Sequence, residues 1–409
     1  MKISTLLKRE DFEYIFIKSI TRFLDDIYKV SHSVKWYPKN STKKFNKNNQ
    51  IWYCNPLINS IYVKNFNSSV FESIFGEYSF NPLSRWRTPF QKLYLNLSEN
   101  KFFSTYFAKY IILISPPLVD SKNKLMIGGN TKIRLIDISS NKVYVILKDG
   151  FSINYLEKEI FIRENFKFLS TTKIYNYSKD KLWYCEQYIK GVSPNRMELD
   201  KGRKILQKSI KELYLMYKIT TKTISLSEYV LSINENIELN LNKLSYLDKD
   251  NRSKIQKAVY EITKYLMIDQ NIGITVAYCH GDFHQGNIIS DENEFWILDW
   301  ENSGVRQIGY DLLILLIESR IEKDYEKRFL NTFNYDLPKD KINIINQWPG
   351  INWHNQDLKN MNFMLFLLEE LDFYIYEKSN EVFMKDPMTM ELRINTIRNI
   401  INSLPIKLG

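Results

Sequence analysis

Cysteine is scarce in this chain, with three among 409 residues (Cys54, Cys185 and Cys279), far apart and in no Cys-x-x-Cys pattern. That excludes a disulfide framework and a zinc ribbon, and it points to a reducing compartment. Long apolar runs are missing too. The longest, Tyr110 to Val119, contains Pro116-Pro117 and falls well short of the ~20 residues that a membrane-spanning helix needs. At the N-terminus, MKISTLLKREDFEYIFIKS, charges interrupt every apolar run, so no secretory core is present. The expectation is a soluble, cytoplasmic protein without a transmembrane segment. Acidic residues are absent between Asp26 and Glu72, a gap that holds Lys35, Lys39, Lys43, Lys44, Lys47 and Lys64. Residues 1–118 carry 17 of the 57 Lys/Arg and 8 of the 47 Asp/Glu, so +9 of the net +10 lies there. A contact between residues 1–118 and an anionic surface is therefore an expectation, whereas a nucleic-acid partner is not.

What is present is ordinary globular material, 44% hydrophobic and 25% charged, enough for two or three domains with real cores. Residues 1–118 read as a basic, α-rich, aromatic-rich extension with a solvated Asn/Lys/Ser stretch at 39–50. From about Lys124 the texture changes. Leu125-Met126-Ile127, Ile133 to Ile138 and Val143 to Lys148 read as three antiparallel strands, separated by Gly128-Gly129-Asn130 and Ser139-Ser140-Asn141 turns. A helix at about 153–169 and a strand at about 182–188 follow. Beyond Gly191 the stripes Leu206/Ile210/Leu213/Tyr217 and Ile255/Val259/Ile262/Leu266 mark helices. A strand-rich insert at about 276–299 interrupts them. Helices resume with Asp311 capping Leu312–Ile317, a long helix through Met361, Met364, Leu368, Leu371 and Ile375, and a last one opening at Asp386-Pro387.

Catalytic residue types concentrate in YCHGDFHQGNIISDENEFWILDWENSG, residues 278–304. Asp282 lies in a loop that Gly281 and Gly286 keep from becoming helix. Asn287 precedes the strand Ile288-Ile289, and a turn over 290–294 returns the chain to Phe295–Leu298, with Asp299 at its end. Such a hairpin brings Asn287 and Asp299 together at its open end, with Asp282 beside them. Two oxygen ligands and a third carboxylate are what magnesium-assisted phosphoryl transfer requires. Asn287 and Asp299 would hold Mg2+ against nucleotide phosphates, and Asp282 would orient and deprotonate an acceptor hydroxyl. His280 and His284 could pair on zinc only from a helix, which the two glycines oppose. His280 is instead expected to brace the loop, and Asp311 to support it as a cap.

This stretch resembles the aminoglycoside phosphotransferase and choline kinase group, relatives of the protein kinases. The group's His-Gly-Asp-x4-Asn appears as His280 to Asn287, its apolar strand ending in Asp-Trp as Ile297-Leu298-Asp299-Trp300, and its Tyr-Asp-Leu as Tyr310-Asp311-Leu312. Three ordered motifs at the right spacing are specific where one would be weak. The resemblance covers about residues 119–409 and implies Asp282 as catalytic base and Asn287 and Asp299 as metal ligands. It implies an α+β, bilobal, protein-kinase-like fold. Residues 119–190 would form a small antiparallel-sheet lobe with the hinge, 191–409 a larger, mainly helical lobe, and 1–118 an extension outside the motifs. ATP or GTP with Mg2+ would be the cofactors, and a small molecule with a hydroxyl (aminoglycoside, amino alcohol or sugar) the acceptor. Gly281 in place of the protein-kinase Arg, and Trp300 in place of Phe-Gly, favour a small-molecule kinase over a protein kinase; a catalytically silent adaptor is the other alternative.

A kinase small lobe needs a lysine on its third strand and a helix carboxylate to hold it. Lys148 ends the third expected strand. Glu159 stands on the apolar stripe Tyr155, Ile162, Phe166, Leu169, where an inward carboxylate demands a cation, so Lys148 and Glu159 are expected to pair, with Arg163 a turn away as another partner. The resemblance further implies a hinge over Glu186, Tyr188 and Ile189 whose backbone pairs with adenine, and a phosphate loop at Gly128-Gly129, where the full G-x-G-x-x-G is missing.

Overall fold

The computed structural model describes residues 2–41, 49–71, 88–100, 103–267, 272–291, 294–348, 355–382 and 387–404. Lys43, Lys44 and Lys47, the middle of the 290–294 turn, and Asp386 lie outside the described residues.

Strands β1 (Ser33–Pro38), β2 (Gln50–Asn55), β3 (Ser60–Val63), β4 (Tyr110–Ser115), β5 (Lys124–Gly128), β6 (Lys132–Asp137), β7 (Lys142–Leu147), β8 (Ile174–Ser178) and β9 (Trp183–Gln187) form one nine-stranded sheet. Its order is β1-β4-β2-β3-β5-β6-β7-β9-β8, and every neighbouring pair is antiparallel. The strands expected at 125–127, 133–138, 143–148 and 182–188 correspond to β5, β6, β7 and β9. Helices α1 (Ile3–Arg9), α2 (Phe12–Tyr28), α3 (Thr88–Glu99) and α4 (Asn154–Asn165) accompany this sheet.

The α-rich reading of residues 1–118 is corrected by β1 to β4. The apolar run at 110–115 is a strand between β1 and β2 whose four central residues are all buried, the pattern of a strand covered on both faces. In β1 the alternation is plain, with Val34 and Trp36 inside and Lys35 outside. Residues 1–118 therefore continue the small-lobe sheet across the β3–β5 pairing of Ile61 with Met126. One hydrophobic cluster joins Phe16, Trp36 and Trp52 to Leu125, Val145 and Trp183, so a line drawn at 118 passes through one sheet and one core.

The large lobe holds α5 (Leu199–Thr220), α6 (Leu226–Lys243), α7 (Lys249–Leu266), α8 (Tyr310–Ile317), α9 (Tyr325–Phe333), α10 (Lys339–Gln347), α11 (Gln356–Lys378) and α12 (Pro387–Ser403). Among them run β10 (Lys222–Ser225), β11 (Gly273–Cys279), β12 (Ile288–Ser290), β13 (Phe295–Ile297) and β14 (Gly304–Gln307). The 206/210/213/217 and 255/259/262/266 stripes are buried as their spacing requires. Helix α8 is buried at all eight positions and shares the second hydrophobic cluster with α5, α7 and α11. The site lies where β11, β12 and β13 leave this helical core and face the small-lobe sheet.

Candidate active site

The loop that follows β11 is fixed from behind by Asp311. Its fully buried carboxylate accepts from His280 N at 2.7 Å, Gly281 N at 2.8 Å and Tyr217 Oη at 2.5 Å. The expected helix cap is thus corrected: Gly309 occupies the cap of α8, Asp311 sits in its first turn, and its side chain clamps the loop backbone instead. His280 lies against the same loop. Its Nδ1 accepts from Asp282 N at 3.2 Å, its Nε2 meets Leu298 O at 2.9 Å, and its ring lies 4.4 Å from that of Trp300. Gly281 has φ +81°, and a Cβ there would lie 2.1 Å from Asn302 O, so only glycine lets the loop turn between β11 and Asp282.

Asp282 and Asn287 are joined directly. The Asn287 amide donates to Asp282 O at 2.9 Å and to Asp282 Oδ2 at 3.0 Å. The other carboxylate oxygen, Oδ1, accepts from Arg320 Nε at 2.6 Å, and Arg320 is itself held by Glu370 at 2.9 Å and Gly281 O at 3.0 Å. Burial pushes the Asp282 carboxyl up, but the Arg320 guanidinium and His284 outweigh it and hold the group at about 2. Across the hairpin, Ile288 pairs with Ile297 and Leu298 N donates to Asn287 O at 2.8 Å. The open end therefore delivers Asn287 and Asp299 to the same side, as the hairpin pattern implies. Asp299 has φ +59°, a conformation that short polar residues tolerate best.

Asp299 meets the small lobe through Arg134 Nη2 at 2.6 Å and Lys132 Nζ at 3.6 Å. Burial opposes its charge, while Arg134, Lys132 and His280 hold its carboxyl far below the usual range. Lys132 also reaches Glu159 at 2.5 Å and Glu301 at 3.0 Å. Burial pulls the Lys132 ammonium down, but Glu159 and Glu301 outweigh it and hold the group well above its usual value.

This corrects the expected Lys148–Glu159 pair. Glu159 is fully buried on α4, as its stripe implies, but its cations are Lys132 and Arg163. Lys148 lies on the opposite face of the sheet, buried against Glu10, and burial pulls its ammonium down to about 8 despite that carboxylate. The reason is strand register. Lys132 and Leu147 are cross-strand partners and share the cleft face, so the residue after Leu147 must point away.

A cleft of about 1600 Å³ runs between the lobes, lined among others by Ile127, Arg134, Tyr184, Leu298 and Asp299. Glu186, Tyr188 and Ile189, the expected hinge, border it. Two of their groups are already engaged, however: the Glu186 carboxylate with Thr172 at 2.5 Å and Arg163 at 3.0 Å, and Tyr188 N with Asn141 O at 3.1 Å. Gly128 and Gly129 form the β5–β6 turn beside the cleft. A Cβ on Gly129 would lie 2.7 Å from Lys132 O, so the second glycine is required by the turn itself. Lys132, Arg134 and Arg320 escaped sequence reasoning. The first two were signalled by β6 itself, KIRLID, whose cations alternate with buried Ile133 and Leu135. Arg320 carried no such signal.

Small-molecule kinases of protein-kinase-like fold, which phosphorylate a hydroxyl, are the class that this meeting of lobes defines. Residues 173–376 match the family model for choline/ethanolamine kinase. No curated protein matches it by sequence. Among solved structures it is similar to choline kinase from Cryptosporidium parvum Iowa II, with 11% identity over 68% of this chain and 87% of that one and a TM-score of 0.43. It is also similar to choline kinase from Streptococcus pneumoniae, with 15% identity over 70% of this chain and 92% of that one and a TM-score of 0.43. An ethanolamine kinase from Plasmodium vivax shares 14% identity over 83% of this chain and 94% of that one, with a TM-score of 0.42. No helix among the described residues is long and apolar enough to cross a membrane.

Proposed function

We propose that the protein transfers the γ-phosphoryl group of ATP to a hydroxyl of a small molecule, with an amino alcohol as the first acceptor to test. The observation that carries the reading is the Lys132 ammonium, 2.5 Å from Glu159 of the small lobe and 3.6 Å from Asp299 of the large one. A fixed cation beside a metal-type carboxylate is what phosphoryl transfer asks of a protein, since catalysis there is mostly positioning and charge neutralisation. Lys132 takes the phosphate-binding role expected of Lys148, with Glu159 orienting it.

The donor set suits Mg2+, because Asp299 and Asn287 offer hard oxygens and the Asp299 side chain keeps 35% of its surface open to the cleft. When bound there, the ion would neutralise charge on the nucleotide phosphates. Asp282 would accept the acceptor hydroxyl's hydrogen bond and orient it in line, with base help of roughly 10²–10⁴-fold. Its acidity, set by Arg320, suits orientation more than strong proton abstraction. Arg134 closes on Asp299 in this arrangement, so it would exchange that carboxylate for phosphate oxygens as nucleotide enters.

The test is ADP release across a panel of amino alcohols, aminoglycosides and sugars with Mg-ATP and Mg-GTP, run beside Asp282→Ala. Turnover with one acceptor class, lost in Asp282→Ala while Mg-ATP still binds, is the expected result. Phosphate transfer to generic proteins, or turnover that survives Asp282→Ala, would overturn it.

A further inference from the structure

The 128–131 turn, where a glycine-rich phosphate loop is expected but only Gly128-Gly129 is found, is held residue by residue from the N-terminal end of the chain. Ile3 N donates to Asn59 Oδ1 at 3.0 Å, and Asn59 Nδ2 donates on to Gly128 O at 2.8 Å. Ile3 and Leu6 of α1 lie 2.9 Å from where a Gly128 Cβ would be, so the first glycine makes room for this helix. Arg9 grips Asn130 twice, through the side-chain oxygen and through the carbonyl at 3.0 Å. The same guanidinium touches Glu10 at 3.1 Å, and Glu10 pairs with Lys148, both fully enclosed. Lys148 returns to the turn, its ammonium to Gly129 O at 3.3 Å and its N–H to Thr131 O at 2.9 Å. Asn130 also donates to Glu377 of α11 at 3.3 Å, and Thr131 Oγ1 donates to Glu301.

We infer that Arg9 and Glu10 are positioning residues for the nucleotide, fixing the turn that leads into Lys132. The inference rests on the reading of the cleft as a nucleotide site. Two physical points favour it. A buried ion pair adds little net stability over apolar packing, and its best-attested use is to select one geometry. The contacts also converge on the turn's carbonyls and on Asn130, which orients the remaining backbone of a four-residue segment directly before the phosphate-binding lysine. Preorganising such a segment improves affinity by removing its ordering cost from the binding step.

The experiment titrates Mg-ATP into the full chain by calorimetry, with a thermal melt of each variant. Arg9→Ala is expected to weaken Mg-ATP binding about tenfold, and Arg9→Lys to recover part of it, since an ammonium cannot span both oxygens of Asn130 as the fork does. Arg22→Ala is the structural control. Arg22 anchors α2 to Leu147 O at 2.8 Å and Lys181 O at 3.2 Å without touching the turn, so it should lower the melting temperature and leave Mg-ATP affinity unchanged. Unaltered affinity in Arg9→Ala, or equal weakening in Arg22→Ala at a matched melting temperature, would overturn the inference while the nucleotide reading stood. A wild-type chain that binds no Mg-ATP would overturn both.

Discussion

Asp282 carries its charge under opposed influences, burial pushing its proton affinity up and Arg320 with His284 bringing it down to about 2. The ordinary aspartate value is ~3.9, so on acidification the unfolded chain takes up the proton first. The stability this gives is complete above about pH 4 and is lost as pH falls towards 2. Removing the guanidinium leaves burial in command. Arg320→Met should therefore raise the acid limb of the kcat/KM profile by about one unit or more, and an unmoved limb would count against Arg320 as the residue that tunes the base. The meeting of Asp282 with Asn287 was legible, because the two stand only five residues apart in one loop. Arg320 was not, because it lies 38 residues further on and reaches the site only through the packing of α8 and α11.

Elements decided which lysine meets Glu159 and Asp299. Lys148 satisfied every linear criterion, standing at the end of the third strand, yet β7 stops at Leu147 and the next side chain turns to the outer face. Lys132 begins β6 and by alternation shares a sheet face with Arg134 and Ile136, which line the cleft. The two lysines should separate cleanly on substitution. Lys132→Met is expected to cost on the order of 10²-fold in turnover with a smaller loss of stability, since Glu159 keeps Arg163. Lys148→Met breaks a buried pair and should cost ~3 kcal/mol of stability, read first in a denaturant melt. The reverse pattern, turnover lost first in Lys148→Met, would return the phosphate-binding role to Lys148. Helix stripes were more dependable than strand ends. A 3.6-residue repeat tolerates an error of one residue in a boundary, whereas a period of two inverts with it.

On the scale of the whole molecule, residues 1–118 share a sheet and a core with the kinase small lobe. A fragment of residues 119–409 would expose the β5 edge and uncover the sheet face that carries Lys148. Such an edge invites pairing with other chains, and the lost cover is apolar. That fragment is expected to aggregate in size-exclusion chromatography and to show no cooperative melt; a monomeric fragment with wild-type Mg-ATP affinity would refute this. Charge arithmetic had set the first third apart as a basic appendage, and Lys35 and Lys64 are exposed there, but net charge reports on surfaces and is silent about how strands pair. The sequence by itself determined the hairpin that joins Asn287 to Asp299, the buried stripes of the large lobe and the inward Glu159, because each depends on neighbours a few residues away and on the period of one element. Only the tertiary structure decided that Lys132 and not Lys148 meets Glu159, that Arg320 holds Asp282, and that Ile3, Leu6 and Arg9 close over the 128–131 turn. Those outcomes depend on side chains tens or hundreds of residues apart competing for the same buried charges, and local spacing carries no record of that competition.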